Sequence, residues 1–224
     1  MNLRSALSTI HRDPHWWLTV LIGGALMATV VGSPWVAGLE IQSLENTRKG
    51  FATPLPRWHD WANRYVVGLL AALIDIMFFV LPVFGFGLLF VCGGGILAIS
   101  GVGGIDWLVP AGLVALLMYP LAVFALGIAP IGRLIYAESG SIEDALSARP
   151  LREAHRPAAR AIYRRARIQS LPAYLPALLL FAASWLAAWP LALPLIWLGL
   201  SALCYAHLVV VQLYAAADTE ARWL

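Results

Sequence analysis

Long apolar stretches alternate with short polar ones along the chain. The apolar runs cover residues 16–39, 66–90, 107–131, 172–188 and 191–215. Most reach the roughly 20 residues that a helix needs to cross a hydrocarbon core. The short alternating segments of an outer-membrane barrel do not occur. The pattern predicts an all-α, polytopic transmembrane bundle forming a single integral membrane domain over residues 1–224.

The breaks in the pattern set the connections. Residues 66 to 108 are too long for one crossing, and "CGGGILAISGVGGID" (92–106) interrupts them with six glycines. Such a stretch favours a turn or a loosely wound helix end over residues 93–104. Near the C-terminus, "WLAAWPLALPLIW" (185–197) carries Pro190 and Pro194, suited to a tight helix-to-helix connection. Trp185, Trp189 and Trp197 flank it, as in a belt at headgroup level.

Composition agrees with the pattern. The chain is 61% hydrophobic and 12% charged, about half the charged share of a soluble domain. Fifteen Lys and Arg residues are distributed unevenly. Residues 1–15 hold two, 38–65 four, 133–171 eight, and Arg222 stands in the tail. The two breaks hold none, so the positive-inside rule puts them outside and the basic segments in the cytoplasm. The net charge of +3 then points to anionic lipid headgroups, not nucleic acid. Both termini are expected in the cytoplasm.

That assignment leaves both ends of run 16–39 on one side. Two readings fit. The run is either a re-entrant hairpin turned at "VVGSPWVAG" by Gly32 and Pro34, or a single kinked crossing with the N-terminus outside. The hairpin reading leaves four full crossings: 66–90, 107–131, 172–188 and 191–215. Residues 40–65 then form a cytoplasmic elbow. Glu45 and Lys49 have helical i,i+4 spacing, and Gly50 is a stop signal. Pro54 and Pro56 exclude regular helix. Asp60 is placed to cap the next segment, with Trp58, Trp61 and Tyr65 at the interface.

The second polar segment, 141–169, predicts cytoplasmic amphipathic helices. Ser141 with Asp144 is an N-cap signature, and Pro157 can open a second helix. There Ala159, Ile162, Tyr163 and Ala166 form an apolar stripe. Arg156, Arg160, Arg164 and Arg167 form a basic face for lipid or an acidic partner.

The order of features resembles a known family. A Gly-terminated apolar run is followed by an arginine-bearing helix, "LPRWHDW", a long apolar helix, "YAESGSIEDAL" and "YAHLVVVQLY". This resembles the prokaryotic multi-pass membrane family catalogued as domain of unknown function 4013, over about residues 16–215. The resemblance implies a prokaryotic cytoplasmic membrane and a helical fold, and it implies no activity.

Chemistry is sparse. GxSxG, P-loop, HExxH, CxxC and EF-hand patterns are missing, so no metal, cofactor or catalytic residues are expected. Cys92 and Cys204 lie in apolar runs, where a buried thiol is the usual state. Asp75 alone places a formal charge well inside a crossing, and His207 is the intramembrane histidine. By helical rise they lie about 15 Å and 12 Å deep, so a direct Asp75–His207 pair is expected. Ala125/Ala129 and Ala183/Ala187 have the spacing of close helix contacts. The expected function is a non-enzymatic accessory or scaffold subunit packed against other membrane proteins. The alternative is a small oligomeric permease using Asp75.

Overall fold

The computed structural model describes residues 2–100 and 108–223, and its described elements are all helical. Four helical runs are long and apolar enough to cross a membrane: Trp61–Gly94, Pro110–Ser139, Pro157–Leu186 and Trp189–Arg222.

The N-terminal apolar run is two helices. A short helix α1 (Leu3–His11) precedes α2 (Trp16–Met27) and α3 (Ser33–Arg48). Thr29 ends the first arm in extended backbone, where its hydroxyl accepts from the Gly32 N–H at 3.0 Å. Pro34 opens the second arm in its first turn, where its missing N–H costs nothing. At 12 residues, α2 is about 18 Å long and too short to span.

The run doubles back along the last helix, α12 (Trp189–Arg222). The first arm meets it between Tyr205 and Trp197: the Trp16 and Tyr205 ring centres are 5.5 Å apart, with His11 Nε2 at the end of α1 3.0 Å from the Tyr205 hydroxyl, and Trp197 Nε1 donates to the Leu21 carbonyl at 3.2 Å. Gly23 and Gly24 let the two backbones close on Cys204 and Ser201. The second arm then descends past His207, Gln212 and Asp218 through Glu40, Ser43 and Arg48. Trp197 therefore fastens the hairpin, and only Trp185 and Trp189, 90% and 75% exposed, stand free at the α12 tip.

The elbow is shorter than expected, residues 49–60, because α3 continues to Arg48. Lys49 pairs with Glu45 at 3.3 Å, and Gly50 (φ 75°) leaves the helix in the left-handed region. Pro54, Leu55 and Pro56 are buried, and Asn46 Nδ2 donates to the Pro54 carbonyl at 3.1 Å. Asp60 does not cap with its side chain. It sits left-handed (φ 52°) ahead of α4 (Trp61–Asp75), and only its carbonyl accepts, from the Arg64 N–H. What holds the elbow is Arg64, fully buried. It donates twice to Gln42 Oε1 (2.9 and 2.7 Å) and once to the Arg57 carbonyl (2.7 Å). Its guanidinium lies 5.0 Å from the Trp58 ring centre, and Trp58 stacks on Trp61.

Beyond α4 a five-residue π-helical segment, Ile76–Val80, leads into α5 (Leu81–Ile99). Pro82 has no N–H for the Phe78 carbonyl, and a wider turn accommodates that loss. The glycine-rich break starts later than its sequence suggests, since Gly93 and Gly94 are helical. Backbone in hydrocarbon must satisfy itself, and the helix does so even through glycine. The last part of that break, residues 101–104, including position 101 expected outside, lies outside the described residues.

Next come α6 (Leu108–Leu126) and α7 (Ile128–Ser139), separated at Gly127 (φ 64°). Two short helices follow, α8 (Ile142–Leu146), capped by Ser141, and α9 (Arg149–His155). Helix α10 (Pro157–Ser170) then runs through a 3-10 turn into α11 (Leu175–Leu186). The stripe-bearing part of the amphipathic segment, α10, is thus the first half of a 30-residue helical run rather than a separate surface helix. Gly127 separates Ala125 from Ala129, and α11 stops before Ala187, so neither alanine pair shares a helix. Cys204 is buried under Gly23, whereas Cys92 is exposed on α5.

The core lies at one end. It gathers α1, α3, α7, α10 and the second half of α12 around Leu39, Ile131, Leu208 and Leu213. Above it α5 packs on α6 and α11 packs on α12, and among the described residues neither hairpin packs closely on the other.

Candidate functional site

Where the core meets the two hairpins there is a cavity of about 360 Å³. Its walls are mainly apolar, with Phe78, Phe79, Val123 and Phe124 on one side and Leu203 and Val211 on the other. Two carboxylates, two guanidiniums and an imidazole line it, from Glu40, Asp75, Arg133, Arg167 and His207, together with the phenols of Tyr174 and Tyr214.

Arg133 organises the first three. From α7 its Nε donates to Asp75 Oδ1 at 3.0 Å and its Nη2 to Asp75 Oδ2, a two-pronged match of fork to carboxylate. The remaining Nη1 donates to Glu40 Oε2. Glu40 is 3% exposed, and its other oxygen lies 3.0 Å from His207 Nδ1. An ionised carboxylate only accepts, so Nδ1 is the donor there. Asp75 and His207 therefore do not pair. They occupy opposite ends of a chain, Asp75–Arg133–Glu40–His207, which draws on α4, α7, α3 and α12. Removing water from two carboxylates and a guanidinium costs several kcal/mol per ion, and dense mutual bonding offsets this.

Arg167 is the second buried cation, 7% exposed. The sequence reading places it on the solvated basic face with Arg156, Arg160 and Arg164. Instead its Nε donates to the Phe124 carbonyl at 2.8 Å, with the guanidinium 3.3 Å from the Phe124 ring centre. A signal was available, because Arg167 lies four residues after Tyr163 and so on the edge of the buried stripe. Arg160 and Arg164 do face outward. Arg156 is half-exposed and donates to the Ala221 carbonyl at 2.8 Å, tying α10 to the end of α12.

Glu40 and Arg133 were missed for a different reason. Each lies one or two residues past the end of an apolar run, because hydropathy ends a run at its first charge. In the fold both helices continue, and the charges stay inside. A second ionic group locks the lower end: Arg48 with Asp218 at 2.6 Å, and Glu138 with Arg222 at 2.7 Å.

These features define a polytopic helical membrane protein with an ionic core. Within that class, the chain belongs to the family described as proteins of unknown function (DUF4013), whose model matches residues 21–193. The match is narrower than the 16–215 expected. It includes Glu40, Asp75, Arg133 and Arg167 and ends before His207. No curated protein and no solved structure matches the chain.

Proposed function

We propose that this protein is a non-enzymatic accessory or scaffold subunit of a larger complex in a prokaryotic cytoplasmic membrane. The supporting observation is the separation of the hairpins. Helix association in lipid relies on close packing between neighbours. Here the α5–α6 and α11–α12 hairpins do not pack closely on each other above the cavity among the described residues, with α2 packed against α12, and Leu89, Val91, Leu178 and Leu179 are 61–75% exposed. Other membrane subunits supply the missing neighbours in this reading, while Arg160 and Arg164 rest on anionic headgroups.

In this topology the hairpin tips face outward, and the elbow and both termini face the cytoplasm, which makes α2–α3 re-entrant. Affinity purification in mild detergent tests the function: the chain should co-migrate with further membrane proteins. Recovery of the chain alone and monodisperse from native membranes would refute it. Cysteine labelling in a background lacking Cys92 and Cys204 tests the topology. Position 188 should label from outside and positions 5, 45 and 155 should not.

A second reading, a small permease, is favoured by the π-helical segment directly after Asp75. Such segments recur at functional sites, and a buried ion-pair chain in a cavity suits ion coupling. In vesicles enclosing a pH-sensitive dye, the native chain should then dissipate a proton gradient and Asp75→Asn should not.

A further inference from the structure

Two groups in the cavity have incomplete partners. Arg133 is matched by two carboxylates, but Arg167 has no carboxylate within ion-pair distance among the described residues. Its partners are the Phe124 carbonyl, the Phe124 ring and the Tyr174 side chain, none of them a carboxylate. Close by, the Tyr214 hydroxyl is buried without any hydrogen-bond partner on a residue 2% exposed. It abuts Gly127 in the cavity wall, where any Cβ would strike the hydroxyl. Tyr214 is within electrostatic reach of Arg167. A buried hydroxyl left unpaired costs about 1–3 kcal/mol, and a buried cation without a counter-ion costs more.

From this geometry we infer that the cavity binds an amphiphile whose oxyanion head, a carboxylate or a phosphate, is held by Arg167 and Tyr214. The head gives Arg167 its counter-ion and accepts from the Tyr214 hydroxyl. The hydrocarbon tail lies along Phe79, Val123, Leu203 and Val211, on the side where the two hairpins stand apart. Water could pair the same polar groups, but it would leave this apolar wall wetted. Arg133, already matched by the carboxylates of Asp75 and Glu40, takes no part in holding the head. The inference is independent of which complex, if any, contains the chain.

The test uses the full chain in a zwitterionic detergent-free phosphatidylcholine nanodisc, titrated separately with oleate, phosphatidylglycerol and inorganic phosphate. Thermal stabilisation and native mass spectrometry give the readouts. Oleate, phosphatidylglycerol or both should bind saturably and raise Tm, and inorganic phosphate should bind at least tenfold more weakly for want of a tail. Binding by oleate alone identifies a free fatty acid as the source, and binding by phosphatidylglycerol alone identifies a lipid headgroup. Arg167→Gln should weaken binding at least tenfold, while Arg160→Gln on the outer face should not change it. Tyr214→Phe removes a hydroxyl that the free protein leaves unpaired. It should therefore keep or raise the Tm of the free protein while weakening binding severalfold. If Arg167→Gln fails to fold, Val211→Trp provides the same check by filling the tail wall with Arg167 in place. Saturable binding by neither amphiphile would overturn the proposal, as would Tyr214→Phe and Val211→Trp both binding like the native chain.

Discussion

The lower half of this protein and its upper half hold helices together by opposite means. In the lower half, α3, α4, α7, α10 and α12 bury charged and polar side chains against one another, with Glu40, Arg64 and Gln212 among the least exposed. Above it, the α5–α6 and α11–α12 hairpins present leucine, valine and phenylalanine outward and, among the described residues, do not pack closely on each other, with α2 packed against α12. In lipid there is no hydrophobic force to bring apolar faces together. Cohesion across several helices therefore comes from groups that hydrocarbon cannot satisfy. The lower half has such groups, and the upper half has almost none.

The largest test of that contrast removes the centre of the ion chain. Arg133→Leu strands the buried Glu40 beside the half-buried Asp75 as adjacent carboxylates and should cost about 3–5 kcal/mol. Denaturant unfolding in detergent micelles measures it. Replacing the whole set with Glu40→Gln, Asp75→Asn and Arg133→Met should recover much of the loss, because no unpaired charge remains. Failure of the triple variant to recover would mean that the charges act individually.

Close backbone approach is the second support of the lower half. Gly68 faces the Pro34 carbonyl and Gly38 faces the Arg64 backbone, so neither site has room for a Cβ. Gly68→Val should cost about 1–3 kcal/mol by overpacking. A matching change at Gly85, which meets nothing within 4 Å, should have little effect on the same unfolding curve.

A smaller effect is expected at the elbow. Arg64→Met keeps the stem but loses three donated bonds, and a loss of about 1–2 kcal/mol follows if each contributes modestly. Replacing "PLPRW" with Gly and Ser should lower folded yield further than Arg64→Met while leaving insertion intact. Unchanged melting for both variants would remove the elbow from the list of supports.

The smallest effect should come from the upper half. Leu89→Ala and Leu179→Ala alter exposed positions and should change stability by no more than about 0.5 kcal/mol. Partner recovery from native membranes should nevertheless fall if these faces meet other subunits. A large loss of intrinsic stability would show that the hairpins pack on each other after all.

Helical class and the four stretches long and apolar enough to cross were legible in the sequence, because both depend on local composition. Hydrocarbon requires continuous apolar helix wherever the chain crosses, and that requirement is written residue by residue. The Glu45–Lys49 contact, the Gly50 stop and the Ser141 cap were readable for the same reason, being bonds between near neighbours. The partners of Asp75 and His207 were not. Depth along a helix can be counted, but the direction a side chain faces and the helix opposite it depend on packing among distant segments. Glu40 and Arg133 looked like boundary residues and became the middle of the ionic core. Arg167 looked like surface and became a buried cation. Only the tertiary structure decided these positions, because a buried charge is tolerated where distant chain segments bring it a partner, and no local pattern records that meeting.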